Sequence, residues 1–413
     1  MRTAAADDGG KAQMAPYESD DAAGIAQDED LRAGRRKAAR YAVPVAVVGV
    51  AAATIGLVPA LAASGDPDLP KITAQQLIEK IAKSDVQQLS GTVKVTTDLG
   101  LPNLGGLESS LASGAAQRGG DGSSADPKAK LTELVSGTHT LRVAADGPDR
   151  QKLSLLESGA EYSIIHNGKN VWGYDSKSNE VYHGTAADSG RKHRAEPPAT
   201  PKDFADEALK SVDDTTSVTV DGTVQVAGRD AYKLLIKPKQ SGTTVGAISI
   251  AVDAKTGQPL KFTLTPRSGG AAVLDAGFTQ VSFAKPAASA FDFTPPKGAK
   301  VTEEKQKSKA PEHAPKSGEG FAKGMDRATV LGKGWTSIAT FDTGAKGGAL
   351  PSGSEGGAFG GFLGSLGDQV SGKFGKGTVF STRLVNALIT DDGKVYAGAV
   401  TKDALVKAAN EGK

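Results

Sequence analysis

From Thr92 to Phe283 apolar and polar residues alternate with a period of two in run after run. Tyr232, Leu234 and Ile236 share one side of their run; so do Ile248, Ile250 and Val252, and so do Phe262 and Leu264. Successive side chains of a strand point to opposite faces, so this pattern describes strands with one buried and one solvated face. Further runs lie at Thr92–Thr97, Thr138–Val143, Lys152–Leu156, Ser217–Val220, Thr223–Val226 and Val273–Phe283. Glu161–His166 and Asn170–Asp175 flank Asn167-Gly168, the strongest short hairpin signal, and a turn at Ser176–Asn179 leads to Glu180–His183. Regular strands at short spacing, with few helices, predict a large antiparallel sheet.

Two helices interrupt the strands. Thr73 and Gln76 fit a capping box, Ile72 and Leu77 fit a hydrophobic staple, and Leu77, Ile78 and Ile81 form an apolar stripe. Thr200 caps a second helix, with Pro201 in its first turn. Two short helices are little cover for about ten strands, and a sheet must bury its apolar face. The sheet therefore closes as a barrel, folds into a filled sandwich, or wraps around the helices and leaves a hydrophobic cavity.

Tyr41 to Ala63 contains no charged residue, and Arg32, Arg35, Arg36, Lys37 and Arg40 precede it. The stretch reaches the roughly 20 residues of a membrane-spanning helix. The basic cluster would hold its amino end on the cytoplasmic side. Residues 41–63 read as an anchor, 1–40 as a disordered cytoplasmic arm, and the bulk of the chain as extracytoplasmic. Small residues at Ala60–Ser64 leave a secreted form, cleaved near Ala62, as the alternative.

The 413 residues imply more than one domain. A net charge of +2 gives no sign of nucleic-acid binding. Without cysteine there are no disulfides, thiolate metal sites, catalytic thiols or acylated cysteine. The five histidines lack paired metal spacing. No Gly-x-Ser-x-Gly elbow is present. Gly367–Lys373 approaches a phosphate loop, but Phe374 stands where Ser or Thr is needed. No catalytic residue, cofactor or metal is expected, and no pattern supports an enzyme. Glycine-rich sequence near 100–127 reads as a mobile insertion, and 304–320 as a linker. Residues 321–413, with a Gly-rich loop and a final helix capped by Thr401, read as a small α+β module.

Asn167-Gly168-Lys169-Asn170-Val171-Trp172-Gly173-Tyr174-Asp175 is similar to a hairpin of the LolA-like lipoprotein-carrier proteins. Phe291-Asp292-Phe293-Thr294-Pro295-Pro296-Lys297-Gly298-Ala299-Lys300-Val301 resembles the end of that domain, and the opening helix followed by Leu89–Val93 fits its start. Val226–Leu234 and Val252–Leu260 resemble the related sigma-factor regulators of the RseB/MucB type. The resemblance covers roughly residues 70–303. It implies an α+β fold: an unclosed half-barrel, a strongly curved antiparallel sheet with helices on its concave side, binding lipid or acyl chains without catalysis. Cavity-lining residues are expected at Trp172, Tyr174, Phe204, Leu209, Phe262, Phe278 and Phe283; for each taken singly, ordinary core packing is the stronger reading. Arg142 and Arg150 are candidates for a cavity-closing contact like the arginine of the family.

Two functions follow as expectations. One is a membrane-tethered binding module for a lipid or acylated lipoprotein. The other is an envelope-stress regulator of the RseB/MucB type that acts on a membrane anti-sigma factor. The tether and the extra module depart from a freely diffusing carrier.

Overall fold

The computed structural model describes residues 66–100, 125–127, 130, 134, 136–185, 200–303, 328–342 and 367–412. The segments expected as a cytoplasmic arm (1–40) and an anchor (41–63), most of the expected insertion, the expected linker at 304–320 and most of the Gly-rich loop lie outside them. Among the described residues no helix is long and apolar enough to cross a membrane.

Helix α1 (Ala74–Ala82) starts as its sequence dictates. Gln76 N donates to Thr73 Oγ1 at 3.1 Å, and Thr73 N donates to Gln76 Oε1 at 2.9 Å. Helix α2 (Pro201–Lys210) repeats the device with Thr200 and Asp203. The strands of the first sheet are β1 (Gln88–Thr97), β2 (Gly137–Asp146), β3 (Arg150–Glu157), β4 (Ala160–Asn167), β5 (Asn170–Asp175) and β6 (Glu180–Thr185), then β7 (Thr216–Val226), β8 (Arg229–Pro238), β9 (Val245–Asp253), β10 (Pro259–Pro266), β11 (Leu274–Ser282) and β12 (Lys300–Glu303). They form one twelve-stranded sheet in the order β12-β6-β5-β4-β3-β2-β1-β11-β10-β9-β8-β7.

The edges β12 and β7 do not pair with each other, so the sheet is unclosed. Yet β7 comes against β11 across three intervening strands, so the sheet is curved. Two details differ from the sequence reading. Ser217–Val220 and Thr223–Val226 are one strand, β7, whose register shifts between Val220 and Thr223. Strand β12 pairs with β6 in parallel, an exception in an otherwise antiparallel sheet.

The C-terminal module has β13 (Thr329–Leu331), β14 (Ile338–Asp342), β15 (Asp368–Gly372), β16 (Gly375–Ser381), β17 (Asn386–Thr390), β18 (Lys394–Gly398) and α3 (Lys402–Glu411). Its sheet order is β13-β14-β18-β17-β16-β15. Strands β16 and β17 are joined by a turn, where the Thr382 hydroxyl donates to Val385 O at 2.7 Å. The phosphate-loop look-alike is strand β15, which leaves no loop to cradle an anion.

The module sits on one rim of the large sheet. Trp335 Nε1 donates to Thr216 Oγ1 at 2.8 Å, and Thr243 Oγ1 donates to Ala399 O at 2.8 Å. Arg383 reaches Asp98 Oδ2 at 2.5 Å and the carbonyl of Ala271. Arg383→Ala is expected to raise amide exchange severalfold at Thr243–Val245 and Thr382–Asn386, and to leave β4 unchanged. Uniform exchange at both places would show that the residue does not hold the seat.

The opposite rim carries the β2–β3, β4–β5 and β7–β8 turns. Residues 283–291 run along it. Phe283 packs under Arg229, Lys285 lies 3.7 Å from Asp146, and Asn167 Nδ2 donates to Phe291 O at 3.3 Å.

Candidate functional site

One pleat face runs without a break across the large sheet. Leu234, Ile250, Phe262 and Ala276 lie in register across β8, β9, β10 and β11. The row continues through Val95 and Val93 on β1, Leu141 on β2, Leu155 on β3 and Tyr162 on β4. All of these side chains are buried. Period two makes this face apolar, and register stacks its side chains into one surface.

Two covers lie on this inner face. Helices α1 and α2 press Leu77, Ile81, Ala205 and Ala208 against Leu234, Ile236, Ile250 and Phe262. Over β2–β4 the cover comes from Ala125, Lys130 and Leu134. Lys130 N donates to Asp126 O at 3.3 Å. Tyr162 anchors the cover by donating its hydroxyl to Ala125 O at 3.0 Å. Gly173 on β5 allows this close approach, since a Cβ there would lie 2.3 Å from Ala125 O. Lys130 Nζ pairs with Glu157 Oε1 at 2.9 Å and stands 5.9 Å from the Tyr162 ring centroid.

Between cover and sheet lies a crevice lined by Lys130, Leu134, Leu141, Leu153, Leu155 and Tyr162. It holds no space for even one water molecule, so the cover and the sheet pack directly against each other. As described, the cover is closed.

The expected lining residues fall into three groups. Phe204, Leu209 and Phe262 belong to the helix-covered half, where Phe204 stacks on Phe262 with ring centroids 5.4 Å apart. Phe278 lies opposite Val93 on the inner face, and Phe283 lies at the rim, 4.5 Å from the Arg229 guanidinium. Trp172 and Tyr174 point the other way, because Gly173 between them faces Ala125. They pack outside the sheet against Phe293, with Trp172 stacked 3.8 Å from His183. The sheet thus separates these two from Phe204, Phe262 and Phe278.

Neither candidate arginine reaches the crevice: Arg150 pairs with Asp146 at 2.5 Å, and Arg142 is exposed on the outer face. His166 and His183 sit on opposite faces, two strands apart.

Sequence does not single out the crevice residues. Leu141, Leu153 and Leu155 carry the period-two signal but no mark distinguishing them from other strands. Lys130 and Leu134 have helical i,i+4 spacing, at the end of a stretch that composition reads as loop.

One charged group is buried near the rim. The Asp253 side chain is 1% exposed and pairs with Arg229 through contacts of 2.5 and 3.2 Å. Its Oδ1 also accepts from Thr256 N at 2.7 Å and from Lys255 N at 3.1 Å. Burial alone would raise the carboxyl's pKa, but Arg229 and Thr256 outweigh it and hold it below the ordinary value. This cluster ties the β7–β8 and β9–β10 turns together. Among the described residues no group of His, Asp or Glu is placed to hold a metal ion.

No family model matches the chain, and no curated protein matches it. Solved structures do. MucB of Pseudomonas aeruginosa, in complex with MucA, is 16% identical over 81% of this chain and 96% of that one, with a TM-score of 0.39. A LolA superfamily protein from Nitrosomonas europaea is 11% identical over 54% of this chain and 99% of that one, with a TM-score of 0.22. An uncharacterized conserved protein from Thermus thermophilus is 14% identical over 56% of this chain and 98% of that one, with a TM-score of 0.30.

Proposed function

We propose that this protein binds a hydrophobic ligand, a lipid or the acyl chain of a lipoprotein, on the inner face of its large sheet and does so without catalysis. The observation that carries this reading is the unbroken apolar face of an unclosed sheet, covered over β2–β4 by a short chain segment. An acyl chain entering the crevice takes the place of Leu134 against Leu141, Leu153 and Leu155. Each CH₂ so buried contributes about 0.8 kcal/mol. Opening the cover and ordering the ligand offset part of that gain. The segment at 41–63 would tether the site to the cytoplasmic membrane, so that ligand is held locally instead of shuttled.

Native mass spectrometry of the full-length chain released from nanodiscs tests the reading. The wild type is expected to retain one amphiphile, and Leu155→Asp, with a charge in the crevice, none. A wild type that sheds its lipid as readily as Leu155→Asp would end the proposal.

A second reading, regulation of a membrane anti-sigma factor, draws on the seated C-terminal module. A purely passive binder has no need of a second sheet docked on its rim. Capture of such a partner by the full-length chain, and its loss on undocking the module, would favour this reading.

A further inference from the structure

The crevice is apolar except at one end. Of its lining residues, Leu134, Leu141, Leu153 and Leu155 are hydrocarbon, Tyr162 contributes its ring, and Lys130 brings a formal charge. The Lys130 side chain is 14% exposed, so it needs a negative partner. Glu157, at the β3–β4 turn, supplies one and is 27% exposed. It is the more accessible member of the pair and can turn to solvent at lower desolvation cost.

We propose that the ligand is an anionic single-chain amphiphile whose acidic head, a carboxylate or a phosphate monoester, replaces Glu157 as the partner of Lys130. The inference rests on the hydrophobic-binding reading above and specifies its ligand. The tail lies along Leu141, Leu153 and Leu155. The head emerges at the Lys130 end, where the ammonium already stands beside the Tyr162 ring. Exchange of one carboxylate for another acid keeps the buried cation neutralised throughout. A neutral head would leave the Lys130–Glu157 pair in the way of the chain and offer nothing in return.

Photo-crosslinking on the full-length chain in proteoliposomes tests this. Three probes share one diazirine-bearing C16 chain and differ in the head: carboxylate, phosphate monoester or alcohol. Label is read in peptides spanning residues 137–167. An acidic probe is expected to label about tenfold more than the alcohol, the size of a charge-assisted hydrogen bond. The better of the two acids identifies the head. Lys130→Met should bring the acid-to-alcohol ratio near unity. Glu157→Gln removes the competing carboxylate and should raise acid labelling, which keeps the test decisive if Lys130→Met folds poorly. Equal labelling by acid and alcohol in the wild type, or an acid preference that survives Lys130→Met, overturns the inference and leaves hydrophobic binding standing. Absence of label from all three probes rejects the hydrophobic site itself.

Discussion

Replacing Asp253 with alanine is expected to destabilise the chain by about 1–3 kcal/mol, the cost of leaving buried hydrogen-bond donors without their acceptor. The substitution strands the Arg229 guanidinium, whose side chain is 27% exposed, and leaves the amides of Lys255 and Thr256 without their acceptor. Arg229 also lies over Phe283, so loss of its anchor loosens the segment that runs along the rim. Urea denaturation followed by circular dichroism measures the loss, and a cost below about 1 kcal/mol would reduce the cluster to surface decoration. The pH dependence has a definite sign. The folded-state pKa of Asp253 lies below its ordinary 3.8. Its contribution is therefore complete above that ordinary value and is lost as pH falls through the lower, folded value. Acid unfolding of the wild type should steepen below about pH 4, and Asp253→Asn should lessen that steepening.

Phe262→Ala is expected to cost about 3–5 kcal/mol, the range for truncating a packed aromatic core residue. Phe262 is 4% exposed, pairs across the sheet with Ile250 and Ala276, and stacks on Phe204 of α2. Its removal leaves a void between α2 and the sheet. The same residue is a candidate cavity liner from sequence, and the two roles differ in magnitude. A side chain bordering an open hollow leaves no new void when truncated, so its loss would cost well under about 2 kcal/mol. Calorimetry on the variant decides between them. Lipid retention supplies a second readout: it should persist in folded Phe262→Ala, because the β2–β4 crevice lies elsewhere.

Much of the sheet is legible in advance, for local reasons. The hairpin forms between the expected strands, but its two-residue loop is Gly168-Lys169: Asn167 pairs with Asn170, and Gly168 supplies the positive φ the turn needs, at +61°. Both capping boxes close because Thr73 and Gln76, like Thr200 and Asp203, act over three residues and need no distant partner. The parallel pairing of β12 with β6 is not legible. It joins residues 120 apart, as in Lys300 with Glu180, and no local pattern encodes that. The site is harder still to read. Trp172 and Tyr174 stand out as aromatics, yet the face of β5 on which they lie is fixed by Gly173 and the approach of Ala125, a contact between distant parts of the chain.

Sequence alone determined the strand periodicity, the two capped helices, the hairpin turns and the absence of cysteine chemistry, because each is decided within a few neighbouring residues. Tertiary structure alone decided on which face the aromatics of β5 lie, and that Lys130 meets Glu157 above buried leucines. Those outcomes depend on register and curvature summed over twelve strands, which bring together residues whose separation along the chain carries no signal.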